Sequence, residues 1–281
     1  MPAGPPTSIE GPRPVLRAVF LGASNLTRSL PRVLSLLRQR AGGPVEVLGA
    51  LGHGRSYGEW SRVFGLRGLP GIVPCGLWRD LASRAAEAPL PTVALVTDVG
   101  NDLGYGEPVE RIVAWAATCL DRLAAAQAAT ILTLLPLASL ERVPPWRFHL
   151  ARTVLFPGRR IEQAALLAQA RELNHELRRL GDEAGIPVVE MDLSWYGFDP
   201  IHIRRKVAAT AWGEILGRWP ISPVSPGGPA DGGEAVGRRV WRGAFRRARL
   251  LRAEELRLGR RTVRTAQPCG RWREGTTVAL Y

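Results

Sequence analysis

The chain has 281 residues and a formal net charge of +13, and 46% of its residues are hydrophobic, which allows a sizeable buried core. It has no apolar run of about 18 residues, which excludes a membrane-spanning helix, and residues 1–14 lack the basic and apolar segments of a signal peptide. Cys75, Cys119 and Cys269 have no histidine or cysteine neighbours at metal-ligand spacing. We therefore expect a cytoplasmic protein with free thiols and no metal.

Apolar runs alternate with helical patterns through residues 15–219, after a flexible N-terminus at residues 1–14. Strands are predicted at residues 15–21, 45–51, 92–99, 129–137 and 186–191. Helices are predicted at residues 26–40, 109–128, 160–184 and 203–216. Apolar strands of this length between helices are typical of a parallel sheet covered on both faces, so the sequence predicts one α/β domain.

Two segments outside this alternation, residues 52–76 and 141–158, are rich in glycine or proline and are predicted to be irregular. The two segments carry several aromatic residues, namely Tyr57, Trp60, Phe64, Trp146, Phe148 and Phe156, and Trp78 lies just beyond the first segment. Long loops with aromatics are typical of an acyl pocket or a lid. A small satellite core explains the same pattern equally well, and the sequence leaves both interpretations open.

The chain changes character at Pro220. Residues 220–233 form a Pro/Gly-rich linker, and residues 220–281 together hold thirteen arginines and five acidic residues, which is +8 of the total +13. In residues 234–281, Val240, Ala244, Ala248 and Leu251 recur at helical spacing among arginines, which predicts a basic amphipathic tail helix. The helix either docks on the domain or binds an anionic membrane surface, with nucleic acid a weaker alternative. Deletion of residues 222–281 is expected to spare catalysis.

Polar residues follow the predicted strands at three places. Ser24 follows the first strand, Asn101 follows the third, and Asp199 stands three residues before His202. A serine hydroxyl needs a base to become a nucleophile, and His202 oriented by Asp199 suits that role. The Ser24 N–H, the Asn101 amide and a glycine N–H would suit an oxyanion. Because ligands bind at the carboxyl ends of parallel strands, Ser24 and Asn101 are predicted to share a pocket.

Each of these residues also has a structural interpretation. Ser24 precedes a helical pattern and is typical of an N-cap. Asn101 and Asp102 together are typical of a turn, in which both side chains satisfy local backbone groups. An isolated histidine such as His202 is more often structural than catalytic. The order of the motifs as a set favours the catalytic interpretation.

Together the motifs resemble the sequence blocks of the SGNH/GDSL hydrolase superfamily over residues 15–219. The first block usually reads Gly-Asp-Ser, and residues 22–24 read Gly-Ala-Ser. The third usually reads Gly-x-Asn-Asp, and residues 99–102 read Val-Gly-Asn-Asp. The last block, Asp-x-x-His, matches residues 199–202. The oxyanion glycine of the second block matches Gly54 better than its neighbour Gly52.

Two departures from these blocks bear on the site. Ala23 replaces an acid that is not one of the catalytic groups. Val99 replaces the glycine of the loop that carries Asn101, and its Cβ could reshape that loop, for which Gly100 is expected to supply backbone freedom.

The resemblance implies a three-layer α/β sandwich with a five-stranded parallel sheet in the flavodoxin-like order 2-1-3-4-5. It implies a serine hydrolase that needs no cofactor and cleaves carboxylic esters of a small or lipid-like acyl group. The residues expected to act are Ser24, Asp199 and His202 in catalysis, and Ser24, Gly54 and Asn101 in the oxyanion hole. Two alternatives stay open: an O-acyltransferase on the same triad, and a catalytically silent domain whose basic tail binds or tethers.

Overall fold

The computed structural model describes residues 12–63, 67–155, 162–221, 252–257 and 261–281. Its strands, in chain order, are β1 Leu16–Gly22, β2 Val45–Leu51, β3 Ser61–Val63, β4 Arg67–Leu69, β5 Thr92–Val96, β6 Ala129–Thr133, β7 Val188–Val189, β8 Glu254–Arg257, β9 Arg261–Arg264, β10 Gly270–Arg271 and β11 Thr277–Leu280. Its helices are α1 Ser24–Ala41, α2 Leu77–Glu87, α3 Asn101–Gly104, α4 Val109–Ala125, α5 Leu137–Leu140, α6 Pro145–Leu155, α7 Gln163–Glu183 and α8 Ala208–Leu216, with a 3-10 turn at Leu193–Trp195.

The central sheet contains seven strands in the order β10-β11-β2-β1-β5-β6-β7. The five strands predicted from the sequence are mutually parallel and lie in the order β2-β1-β5-β6-β7, so the predicted flavodoxin-like order is confirmed. The predicted count of five is wrong, because β11 adds to the free edge of β2 in parallel and β10 follows it antiparallel.

Helices cover both faces of this sheet. Every residue of β1 is buried, and successive side chains of the strand enter different cores: Phe20 packs with the leucines of α1 and with α8, whereas Leu21 packs with α2, α4 and α7. This alternation follows from the two-residue period of a strand. The result is the three-layer arrangement expected for apolar parallel strands between helices.

The expectation of irregular structure in two segments is partly wrong. Residues 52–76 contain the hairpin β3–β4, which forms a second, antiparallel sheet with β8 and β9. Residues 141–158 contain helix α6. Helix α2 was also missed. The buried apolar residues of α2, Leu77 and Leu81, are four apart in a segment that also holds four charged residues, so its periodic signal is weak.

Residues 252–257 and 261–281 correct the prediction of a separate C-terminal tail. β11 pairs with β2 in register, Val278 and Leu280 are fully buried, and the Tyr281 N–H donates to the Gly49 carbonyl at 2.9 Å. The high arginine content of residues 220–281 favoured a separate tail. The addition of β11 to the sheet depends instead on its pairing with β2, which is distant in sequence. The predicted amphipathic helix, including Val240 and Leu251, lies outside the described residues. None of the described helices is long and apolar enough to cross a membrane.

Candidate active site

Ser24 lies at the carboxyl end of β1, in the middle of the sheet, where it is the first residue of α1. The turn between strand and helix is tight: a Cβ on Gly22 would approach Thr97 Cγ2 to 2.7 Å. Ala23 is fully buried and gives α1 no side-chain cap. The hydroxyl of Ser24 therefore projects from a closely packed strand-to-helix turn rather than from a loop.

Ser24, His202 and Asp199 form one series of hydrogen bonds. The Ser24 Oγ lies 2.8 Å from His202 Nε2, and His202 Nδ1 lies 2.7 Å from Asp199 Oδ2. An ionised carboxylate only accepts, so His202 Nδ1 carries a proton and its Nε2 is free to accept the serine proton. The structure thus brings together the three residues expected from the sequence, which are separated by up to 178 positions.

Asp199 is held in its ionised form by the loop that it shares with His202. Burial acts to raise the pKa of Asp199, but the hydrogen bond and charge of His202 and the N–H groups of Ile201 and His202 outweigh it and lower that pKa below its ordinary value. Arg28 lies 3.6 Å from the same carboxylate. A carboxylate in this state orients the imidazole and stabilises its positive charge.

Asp98, which the sequence analysis did not single out, binds the backbone on both sides of Ser24. Its Oδ2 accepts the Ala23 N–H at 2.9 Å and the Asn25 N–H at 3.1 Å. The carboxylate thereby caps the N-terminus of α1 from another strand end and complements the helix dipole. Its backbone has φ 59°, in the left-handed region that side chains other than Asn and Asp rarely adopt. Two sequence signals pointed to it: it is an acid two residues after β5, and the first block has Ala23 in place of its usual acid.

Asn25 connects the serine turn to the histidine loop. Its Nδ2 donates to Asp98 Oδ1 at 3.0 Å and to the Ile201 carbonyl at 2.7 Å, and its Oδ1 accepts the Ile203 N–H at 2.9 Å. The two backbone contacts flank His202 on either side. The side-chain amide is therefore fully used in fixing the distance between Ser24 and His202. Its position directly after Ser24 was the only sequence signal.

The candidate oxyanion donors lie around the same end of the sheet. Asn101 begins α3 and lines one cavity together with Ser24. One N–H of its Nδ2 group donates to the Arg55 carbonyl at 3.3 Å, which leaves the second N–H available to an oxyanion. Gly54 follows β2 with φ 60°, and its carbonyl accepts from the Tyr105 hydroxyl. Gly54 is not among the residues that line this cavity, and its oxyanion role stays a prediction.

In the loop of Asn101, which carries Val99 in place of the usual glycine, Gly100 has a different role from the one expected. Gly100 has φ −70°, a conformation open to any residue, so backbone freedom is not its contribution. A Cβ at Gly100 would instead lie 2.3 Å from Leu135 Cδ2, so the glycine is needed for close packing. The unusual backbone falls on Asp98, and Val99 is buried and lines the cavity that Ser24 and Asn101 also line.

A cavity of about 140 Å³ opens beside Ser24 and Asn101. Its wall is largely aliphatic, with Leu103, Leu134, Leu135, Leu140, Leu166, Ala170, Met191 and Ile201. None of the described aromatic residues of the two segments once expected to be irregular lines it. Tyr57 is instead a core residue whose hydroxyl donates to the Thr97 carbonyl at 2.7 Å, and Trp146 is 63% exposed.

Asp102, which completes the third block, is an unusual acid in this region. Burial raises the pKa of Asp102 to about 6, although hydrogen bonds from Ser56 and from the Tyr57 N–H act to lower it.

His149 and His175 are exposed on helices, and no contact joins them to Ser24 in the described chain. Among the described residues, no group of His, Cys, Asp and Glu is arranged to hold a metal ion.

No protein-family profile and no curated protein matches the chain. Among solved structures, it is similar to an inhibitor-bound aryl esterase of M. smegmatis, with 14% identity and a TM-score of 0.46 over 71% of this chain and 96% of that one. It is similar to a psychrotrophic esterase of Pseudoalteromonas sp., with 14% identity and a TM-score of 0.44 over 72% and 95%. It is also similar to a GDSL-like lipase of Bacteroides thetaiotaomicron, with 13% identity and a TM-score of 0.44 over 72% and 85%. These similarities concern the overall α/β arrangement.

Proposed function

We propose that this chain is a serine hydrolase that cleaves carboxylic esters through an acyl-Ser24 intermediate. The observation that carries the proposal is the series of hydrogen bonds from Ser24 Oγ through His202 to Asp199, at 2.8 and 2.7 Å. A structural serine at a helix N-terminus has no need of a histidine whose far nitrogen is paired with a carboxylate. A nucleophile needs both.

In the proposed reaction, His202 Nε2 takes the proton of Ser24 as Oγ attacks the carbonyl carbon of the ester. The oxyanion is stabilised by the Ser24 N–H, the Gly54 N–H and the Asn101 amide. His202 then gives its proton to the leaving alcohol, and the bond between carbonyl carbon and alcohol oxygen breaks. Water, deprotonated by His202, releases the acid from Ser24 by the same steps in reverse order. Asp199 keeps the imidazole oriented throughout.

The cavity beside Ser24 favours a short acyl group over a lipid chain. Its volume of about 140 Å³ is below the roughly 300–1,000 Å³ of sites for drug-sized ligands. Of the described residues that line it, only Asp98 is charged, and its carboxylate already accepts hydrogen bonds from the Ala23 and Asn25 N–H groups. The rest of the wall is largely aliphatic, so an unbranched or small branched acyl group is the best match. We expect the turnover of p-nitrophenyl esters to be highest for acetyl to butyryl and to fall for octanoyl.

A fluorophosphonate probe and an ester panel test the proposal. Labelling of the wild type, located on Ser24 by mass spectrometry and absent from Ser24→Ala, is the expected result. Adding an alcohol acceptor distinguishes hydrolysis from acyl transfer: predominance of the transferred ester over the free acid would favour the acyltransferase. A folded wild type that neither reacts with the probe nor turns over any ester would overturn the proposal and favour the silent domain.

A further inference from the structure

A second cavity, of about 390 Å³, adjoins the first. Its wall consists of residues from the α5–α6 region and from the loop before α8, namely Ser139, Arg142, Arg147, Leu193, Ser194, Tyr196, Gly197 and Arg204. Tyr196 lines both cavities. The loop that supplies Tyr196 and Arg204 also carries Asp199 and His202, so whatever occupies the second cavity lies next to the proposed catalytic residues.

The second cavity is strongly cationic. Three guanidinium groups line it and no carboxylate does. Among the described residues, Arg147 and Arg204 donate to backbone carbonyls, of Phe198 and Ser194, and Arg142 forms no ion pair. Other surface arginines are neutralised: Arg171 lies 2.7 Å from Glu141, and Arg178 lies 2.7 Å from Glu190. Asp192, which precedes the lining residue Leu193, accepts the Ser194 N–H at 2.6 Å, and neither it nor Asp199 lines the cavity.

Two of these arginines are held in place by their neighbours. The Arg147 guanidinium lies over the Phe198 ring, 4.3 Å from its centre. Gly197 leaves room for Arg204, because a Cβ at position 197 would come within 3.0 Å of Arg204 Cδ. Side chains that are ordered before binding lose little entropy when a ligand arrives. Oriented guanidinium groups suit a phosphate or carboxylate, each of which accepts paired hydrogen bonds.

We propose that the substrate is an ester whose alcohol half carries an anionic group, bound by Arg142, Arg147 and Arg204. This inference rests on the proposed function of Ser24. The apolar cavity suits the acyl half, which leaves the cationic cavity for the alcohol. With 2-acetoxyethyl phosphate as the probe, the bond from Ser24 Oγ to the acetyl carbon forms and the ester C–O bond breaks. The Ser24 proton passes through His202 to 2-hydroxyethyl phosphate, and water then releases acetate.

Acetate release tests the inference with four esters that share one acyl group. These are 2-acetoxyethyl phosphate, acetoxyacetate, ethylene glycol monoacetate and acetylcholine, which carry a phosphate, a carboxylate, no charge and a cation. We expect kcat/KM to be at least about tenfold higher for the faster of the two anionic esters than for the neutral ester, mainly because its KM is lower. The preference should shrink with added salt, since the arginines are open to solvent and screened over about 10 Å at 0.1 M.

Variants assign the preference to the cavity. Arg142→Gln, Arg147→Gln and Arg204→Gln should each lower the ratio of anionic to neutral turnover about three- to fivefold, which is the scale of a partly exposed charge contact. Arg171→Gln, outside the cavity, is the matched control and should leave the ratio unchanged. Equal rates for anionic and neutral esters, or an unchanged ratio in the triple variant, would overturn the inference.

Binding separates this inference from the proposed function. Titration calorimetry of Ser24→Ala with 2-acetoxyethyl phosphate needs no turnover, and the affinity should fall in the triple arginine variant. If no ester is hydrolysed but this binding is found, the hydrolase proposal fails and the anion site stands. If neutral esters are hydrolysed and neither anion binds, the anion site fails and the hydrolase stands.

Discussion

The carboxylate of Asp98 accepts hydrogen bonds from the backbone N–H of Asn25 at 3.1 Å and from the Asn25 side chain at 3.0 Å. Through these contacts one acid fixes both the turn that presents Ser24 and the amide that reaches the loop of His202. An acid at position 23, as in the usual first block, is absent here. The geometry of the proposed nucleophile therefore depends on a carboxylate supplied by the end of β5.

Loss of this carboxylate should impair both stability and catalysis. Asp98→Gly removes the acid without straining the backbone at φ 59°, and it should lower the free energy of unfolding by about 1–3 kcal/mol and reduce kcat. Asp98→Asn keeps an acceptor and tolerates the same φ, so it should retain more of both. Urea unfolding and ester turnover measure the effects. Equal activity in Asp98→Gly and wild type would show that the serine turn is held without Asp98.

The three residues of the hydrogen-bonded series should act as a unit. Ser24→Ala and His202→Ala should each lower kcat by several orders of magnitude, about 10⁴- to 10⁶-fold, and the double variant should be little worse than either. His175→Ala is the matched control, since its side chain is 79% exposed on α7. Steady-state kinetics with a p-nitrophenyl ester provide the measurement. More than about a tenth of the wild-type rate in His202→Ala would require another base.

Asn101 should contribute mainly to the transition state. Asn101→Ala should reduce kcat by about 10²- to 10³-fold with little change in KM, because the amide is needed where negative charge develops. Asn174→Ala provides a comparison: this buried amide binds the Leu135 backbone at 2.8 and 3.1 Å and should affect stability more than kcat. A change in KM alone for Asn101→Ala would argue for a role in substrate binding instead.

Asp102 should make stability depend on pH in a direction opposite to that of most acids. Burial raises its pKa in the folded state to about 6 from an ordinary 3.8, so the folded protein binds this proton more tightly than the unfolded chain. The resulting stability is complete below about pH 4 and is lost as the pH rises through about 6.

Asp102→Asn removes this titration and can still accept the Tyr57 N–H. The difference in free energy of unfolding, variant minus wild type, should therefore rise by up to about 3 kcal/mol between pH 4 and pH 7. Denaturant unfolding of both proteins at matched pH values measures the difference. A difference that does not vary with pH would mean that Asp102 titrates normally.

The C-terminal strand should be essential to the fold, contrary to the expectation that residues 222–281 can be deleted. Leu280 is fully buried against β2, and Leu280→Ala should cost about 2–5 kcal/mol of unfolding free energy. Arg273→Ala, at an exposed position nearby, should change it by less than about 0.5 kcal/mol.

Truncation after Thr276 should also lower ester turnover in any protein that stays folded. The buried Arg55 donates to the Tyr281 carbonyl, and its own carbonyl accepts from Asn101, so the strand end is linked to the proposed oxyanion donor. Full activity and unchanged stability of the truncated chain would restore the interpretation of a separate tail.

The sequence by itself determined the elements whose signals are local. Five apolar strands, the four helices α1, α4, α7 and α8, and the order of Ser24, Asn101 and the Asp199–His202 pair all follow from periodicity and from motifs at strand ends. Because the carboxyl ends of parallel strands meet at one edge, the sequence alone predicts that these residues converge. Ser24, His202 and Asp199 lie at hydrogen-bonding distances from one another in series, and Asn101 lines the same cavity as Ser24, in accord with that expectation.

Only the tertiary structure decided the features that depend on contacts between distant segments. Asp98 became part of the serine turn because β5 lies beside β1, and β11 joined the sheet because the edge of β2 was free. The arginine-lined cavity arises where the α5–α6 region meets the loop of His202. Such pairings depend on which surfaces remain unsatisfied after the core has formed, and the local periodicity of a sequence carries no information about that.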